Sequence, residues 1–180
     1  MLMSAENGSL LVVDVQERLL PHIHDWQVLL DNTLWLVRLA RRMGVPVMVT
    51  EQYPKGLGHT SPEVLRELPG QSVAEKAHFS CVAADCLQGL PGNERRQVVI
   101  CGIESHVCVL QTALELRWQG KEVFVVADAV GSRDPGNRSL ALERMRRHGI
   151  EIVGREMVAF EWLRMAGTAL FKDVNAEFLR

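Results

Sequence analysis

Val98-Val99-Ile100-Cys101-Gly102-Ile103-Glu104-Ser105-His106-Val107-Cys108 is the stretch on which the fold turns. Its first half is a short, continuous apolar run, the pattern of a strand buried on both faces of a sheet. A glycine follows, then the polar pair Glu104-Ser105. From there Val107, Leu110, Leu114 and Trp118 recur at helical spacing, and Gly120 marks the stop. Ser105 is in place to cap this helix. Strand, turn and helix in that order put Cys108 in a first helical turn, just past the end of a buried strand. Backbone N–H groups and the helix dipole favour a thiolate there, and the thiolate is the nucleophilic form. The same N–H groups can receive an oxyanion.

Working outward, the pattern repeats. Residues 10–14 form a short apolar run closed by Asp14, and residues 26–43 carry apolar residues at helical spacing up to Gly44. Residues 45–50 read as a second strand and residues 53–59 as a loop on composition. Ser61-Pro62 opens a short helix. Residues 72–76 make a short third strand, residues 82–87 a short helix, and residues 97–101 the fourth strand. Residues 122–127 are the fifth strand, residues 137–148 a helix ended by Gly149, and residues 150–153 the sixth. The tail, residues 157–171, is apolar and helix-like. Alternating strands and helices predict an α/β fold. The expected form is a single domain over residues 1–180 with three layers, α/β/α, around a six-stranded, mainly parallel, Rossmann-like sheet. In such sheets ligands bind beyond the carboxyl ends of the strands, where the strand order reverses. Asp14, Lys76 and Cys108 all fall at such ends.

Bulk properties narrow the function. The chain has 180 residues, 47% hydrophobic and 23% charged, with a formal net charge of −2, which is a soluble globular composition. No long basic run appears, so no nucleic-acid partner is expected. The densest basic cluster, Arg144-Met145-Arg146-Arg147-His148, reads as a solvated helix face. No secretory signal is read at the N-terminus, and every apolar run is shorter than a membrane span needs, so no membrane partner is expected. Four cysteines without a C-x-x-C point away from a disulfide framework and toward the reducing cytoplasm.

Singly, the candidate residues have plain structural readings. Asp14 reads as a turn cap, Lys76 as a surface lysine and Cys108 as a small buried hydrophobe. Together they suit nucleophilic chemistry: a thiol, a cation that favours the thiolate, and a carboxylate that can move the proton. His106, two residues before Cys108, does not share its helix face. His59 and His78 lie in loops, so spacing leaves a Cys–His arrangement open.

Leu10-Leu11-Val12-Val13-Asp14-Val15-Gln16, Lys76-Ala77-His78-Phe79-Ser80 and Gly102-Ile103-Glu104-Ser105-His106-Val107-Cys108-Val109 together resemble the isochorismatase-like cysteine hydrolases, in that family's order and over most of the chain. Thr50-Glu51-Gln52-Tyr53-Pro54-Lys55-Gly56-Leu57-Gly58 is similar to the subgroup of isochorismatase domain-containing proteins. The resemblance implies a catalytic triad of Asp14, Lys76 and Cys108. Cys108 would attack a carbonyl carbon, Asp14 would act as base and then as acid toward the leaving amine, and Lys76 would hold Asp14. It also implies a non-proline cis peptide at Ile103–Glu104. That bond would aim the Glu104 N–H, with the Cys108 N–H, at the developing oxyanion. Gln16, Gln52, Tyr53 and Phe79 are the candidate substrate-binding residues by position in these motifs. Some relatives place a metal after the second strand. Here that stretch reads Glu51-Gln52-Tyr53 with one later histidine, His59, so no metal and no other cofactor is expected.

The expected activity is hydrolysis of a small amide-type molecule through a thioacyl enzyme, by a homo-oligomer. The alternative is a non-catalytic binding or assembly protein on the same fold. A nucleotide-binding reading fails because no G-x-G-x-x-G follows the first strand.

Overall fold

In the computed structural model, which describes residues 1–179, six strands form one sheet: β1 (Gly8–Val13), β2 (Val47–Gln52), β3 (Val73–Lys76), β4 (Gln97–Ile103), β5 (Glu122–Gly131) and β6 (Glu151–Val153). Their order is β3-β2-β1-β4-β5-β6 and every pairing is parallel. The order reverses between β1 and β4, so the crevice favoured for ligands opens beyond the ends of those two strands.

Burial explains the apolar runs 10–13 in β1, 47–49 in β2 and 98–101 in β4. Every residue of the three is buried, and alternate side chains enter two different cores, as the two-residue strand period requires. Leu10, Val12, Val49, Val99 and Ile103 face α1 (Trp26–Met43), while Leu11, Val13, Met48, Val98 and Ile100 pack with residues of the opposite helical layer. α1 buries Leu29, Leu30, Thr33, Leu36, Val37 and Ala40, one face at helical spacing, and ends on Gly44 at φ 68°. The remaining helices are α2 (Pro54–Leu57), α3 (Pro62–Glu67), α4 (Leu110–Trp118), α5 (Pro135–Arg147), α6 (Arg155–Leu163) and α7 (Ala169–Phe178).

Gly102 sets the spacing at the crevice. It pairs with Val13, has φ +119°, and a Cβ there would lie 2.0 Å from the Val13 carbonyl oxygen. Only glycine lets the end of β4 come this close to the end of β1. The turn carrying Cys108 is thereby brought beside Asp14.

Several local expectations need correction. Residues 82–87 form turns, not a helix, because Asp85 is left-handed at φ 52° and the helical ladder does not propagate. The helix expected from residue 105 begins as a π-type turn, Ser105–Val109, and becomes α4 only at Leu110. Ser105 does not cap it: its hydroxyl is fully buried and unpartnered among the described residues. The loop at residues 53–59 contains α2. The apolar tail is two helices, α6 and α7, rather than one. β5 runs past residue 127 because its pairing shifts register, from Ile100↔Val125 to Gly102↔Val130.

Candidate active site

Asp14 follows β1 at φ 51°, with its N–H donating to the Thr50 carbonyl at 3.1 Å. This left-handed turn leaves Asp14 wholly buried. Its Oδ1 accepts from the Thr50 hydroxyl at 2.8 Å and its Oδ2 from Lys76 Nζ at 2.7 Å. Lys76 is the last residue of β3, and its ammonium is also shut off from solvent. A second Nζ hydrogen bond, 2.7 Å, goes to Gln52 Oε1. Gln52, the last residue of β2, donates its Nε2 to the Ala77 carbonyl at 2.7 Å. The Cys108 thiol donates to the same Gln52 Oε1 at 3.9 Å. The ends of four strands thus converge on one polar cluster buried under the crevice.

The electrostatics are strongly coupled. Burial opposes the charge on Lys76, but Asp14, with a contribution from Cys108, outweighs it and raises the lysine above its ordinary value. Burial, reinforced by the Asp14 carboxylate, pushes the Cys108 thiol up to about 12, with Lys76 opposing. The sequence-based expectation of a resting thiolate is therefore corrected. Desolvation and the Asp14 carboxylate outweigh Lys76, and the sulfur rests as S–H.

The other sequence candidates divide. Gln52 lies inside the cluster. Gln16 is fully buried, but its side chain is committed to backbone: Oε1 accepts from Gln52 N at 2.7 Å, and Nε2 donates to Gln52 O at 3.0 Å and Gly58 O at 2.6 Å. It clamps the end of β2. Tyr53 and Phe79 are both more than half exposed. Tyr53 helps line an open cleft of about 280 Å³ with Pro54, Lys55, Glu75, Lys76 and Ala77. The Ile103–Glu104 peptide is cis, and the Glu104 carboxylate accepts from Arg133 N at 3.0 Å and Arg133 Nε at 3.2 Å.

The Cys–His alternative finds no support in the contacts. His106 Nδ1 pairs with Ser132 Oγ at 2.9 Å, His59 Nδ1 with Glu51 Oε2 at 3.1 Å, and His78 is exposed. The Glu51 carboxylate also accepts from Thr60 N and Thr60 Oγ1, at 2.5 and 2.7 Å. Burial alone would raise Glu51, yet Thr60 and His59 together hold it below the ordinary carboxylate value.

Thr50 was missed by sequence reasoning. Its signal is a lone hydroxyl within the buried run Val47-Met48-Val49-Thr50, and that hydroxyl gains meaning only when the register sets Thr50 opposite Val13, next to Asp14.

The isochorismatase domain model matches residues 9–157. The secreted isochorismatase effector Isc1 of Phytophthora sojae is 39% identical over 171 residues, covering 92% of this chain and 81% of that protein. Among solved structures, the MAR1 ribonuclease of Caenorhabditis elegans superposes with a TM-score of 0.89 at 32% identity, covering 100% of this chain and 93% of the other. YcaC from Pseudomonas aeruginosa, solved with hexane-2,5-diol and covalent acrylamide, gives a TM-score of 0.89 at 25% identity, covering 99% and 92%. By the matched domain and these relatives, the chain belongs to the isochorismatase family.

Proposed function

We propose that the chain is a cysteine hydrolase of small amide-type molecules. The observation that carries the reading is the buried Asp14–Lys76 ion pair, joined through Gln52 Oε1 to the Cys108 thiol. A nucleophile, a proton carrier and a fixed cation then share one dry crevice.

In this mechanism Asp14 takes the proton from Cys108 as the sulfur bonds to the substrate carbonyl carbon. The carbonyl oxygen becomes an oxyanion held by the backbone N–H groups of Glu104 and Cys108; one such donor is worth on the order of a hundredfold in rate. Collapse of the adduct breaks the C–N bond, and protonated Asp14 delivers its proton to the departing amine. Water then attacks the thioester while Asp14 accepts its proton. The C–S bond breaks, the acid leaves, and the proton returns to the sulfur. Lys76 stays charged throughout and fixes Asp14. Gln52 orients Lys76 and the thiol, while Tyr53 and Phe79 supply apolar contact at the mouth.

The acrylamide bound covalently in the Pseudomonas YcaC structure supports an amide-shaped electrophile as the probe. Wild-type protein incubated with acrylamide is expected to carry an adduct on Cys108, located by peptide mapping, and a panel of small primary amides is expected to yield ammonia. Cys108→Ala should do neither. Because the Caenorhabditis relative is named a ribonuclease, the panel includes RNA oligonucleotides. RNA cleavage that survives Cys108→Ala, with no amide turned over, would sink the proposal. We further propose a homo-oligomer: Met157, Phe160 and Met165 are each about half exposed or more on or beside α6, and light scattering at several concentrations tests it. No helix among the described residues is long and apolar enough to cross a membrane.

A further inference from the structure

We propose that Cys81 and Cys86 are a redox modification site, a dithiol that hydroperoxides convert to a disulfide beside the Asp14–Lys76 pair. Both thiols are free, and neither has a role in the hydrolytic mechanism. They sit at the two ends of one turn. The Cys86 N–H donates to the Cys81 carbonyl at 3.2 Å, closing the loop between them, and the left-handed Asp85 tightens it. The near end of the turn is fixed to α4, through Cys81 N donating to Thr112 Oγ1 at 3.0 Å and Ser80 Oγ to Glu115 Oε2 at 2.6 Å. The two thiols bear on each other's acidity. A disulfide, with its S–S length of ~2.05 Å, closes the same turn covalently.

The environments divide the labour. Cys81 is fully buried, and its contact with Cys86 together with burial pushes it well above the ordinary thiol value. Cys86 is half-buried, and the contact with Cys81, helped by Lys76, pulls it down. A lower, more accessible thiol is the attacker and its buried partner the resolver. Solvent reaches Cys86 through its own partial exposure, and a cleft of about 130 Å³ bordered by Cys81, Asp85, Gln88 and Gln119 lies beside the turn. The Cys86 thiolate attacks the outer oxygen of the hydroperoxide. The O–O bond breaks, the alkoxide leaves as an alcohol after taking a proton, and Cys86 becomes a sulfenic acid. The Cys81 sulfur then displaces the hydroxyl, which leaves as water with the Cys81 proton. Two thiols are oxidised by two electrons and one peroxide bond is reduced.

The modification reaches the candidate active site by a short chain of contacts. The Cys81 S–H donates to Thr50 Oγ1 at 3.9 Å, and the Thr50 hydroxyl donates to Asp14 Oδ1 at 2.8 Å. The disulfide removes the first donor of that chain.

Peptide mapping tests this directly, because trypsin releases residues 77–95 as one peptide holding both cysteines. Reduced wild-type protein treated with hydrogen peroxide at neutral pH is expected to lose two hydrogens, located in that peptide, and to regain them with dithiothreitol. Cys86→Ser should lose none. Cys81→Ser should stop at a sulfenic acid on Cys86 that dimedone traps. Oxidation falling first on Cys108, or the wild-type peptide 77–95 keeping both thiols while peroxide is consumed, would overturn the assignment. The wild-type map needs no variant to fold, and its outcome does not depend on hydrolytic activity.

Discussion

Removing the charge on Asp14 is expected to separate two properties of Cys108 that usually move together. In the native site, Lys76 has Asp14 as its counterion at 2.7 Å. A thiolate would be a second negative charge against one positive, in a place with almost no water, and the Cys108 thiol is accordingly pushed up to about 12, burial first and Asp14 next. At pH 8 only on the order of one molecule in ten thousand carries the thiolate. In Asp14→Asn the sulfur becomes the natural partner of Lys76. A like charge withdrawn from a neighbouring site lowers a pKa by about 1–3 units. Each unit raises the thiolate fraction tenfold, but nucleophilicity falls with basicity at a Brønsted slope near 0.5, so about half the gain survives. The expected result is alkylation of Cys108 by iodoacetamide about 3- to 30-fold faster than in wild type. Amide hydrolysis, which needs a proton carrier, should fall to the level of Cys108→Ala. The assay is site-resolved alkylation by mass spectrometry, paired with ammonia release. If Asp14→Asn alkylates more slowly than wild type, the carboxylate is not what holds the thiol protonated, and the electrostatic account fails.

Two further perturbations probe the same cluster. Lys76→Met leaves the wholly buried Asp14 carboxylate uncompensated, a loss of about 3–5 kcal/mol, or roughly 6–20 °C in Tm for a domain of this size. Adding Asp14→Asn should recover most of it, and a single variant as stable as wild type by calorimetry would contradict the buried-pair argument. Cys101 is also pushed up to about 12, by burial. The folded chain thus keeps a proton that the unfolded chain releases near pH 9. Stability is therefore full below about pH 9 and falls as pH rises toward 12, by about 1.4 kcal/mol per unit for each such thiol. Urea midpoints between pH 8 and 11 should show this decline, with a smaller slope in Cys101→Ala; equal slopes would refute it.

The site was legible in sequence where one strand sufficed to define it. The apolar run into Gly102 and the helical spacing after Ser105 located Cys108. The ends of two other expected strands located Asp14 and Lys76, and motif resemblance joined the three. What stayed hidden depends on neighbours distant in the chain. Thr50 matters only because β2 pairs with β1 in one register. Gln16 sits in a matched motif, yet its hydrogen bonds go to backbone that the fold folds back over it. The resting state of the thiol was misjudged because the helix terminus is visible locally and burial is not. The short helix expected at residues 82–87 is broken at the left-handed Asp85, a backbone conformation that the residue types there do not announce.

A thiol near 12 looks unsuited to nucleophilic attack, and Cys101 has the same value without any proposed role. The difference lies in where the proton can go. Around Cys101 the causes are burial and a bond with Thr33, and no carboxylate is involved. Ionising that sulfur means sending the proton to bulk water and leaving a net negative charge in the core, at the full desolvation cost. At Cys108 the proton can pass to Asp14. Before transfer the cluster holds Asp14 negative, Lys76 positive and the thiol neutral. After transfer it holds Asp14 neutral, Lys76 positive and the thiolate negative. The net charge is zero in both states, so most of the burial penalty that a titration with hydroxide would meet is absent from the internal transfer. Lys76 is a fixed countercharge for either anion, and Gln52 Oε1 contacts both lysine and thiol. A site arranged in this way holds its sulfur protonated at rest, yet ionises it when a substrate carbonyl lies in reach.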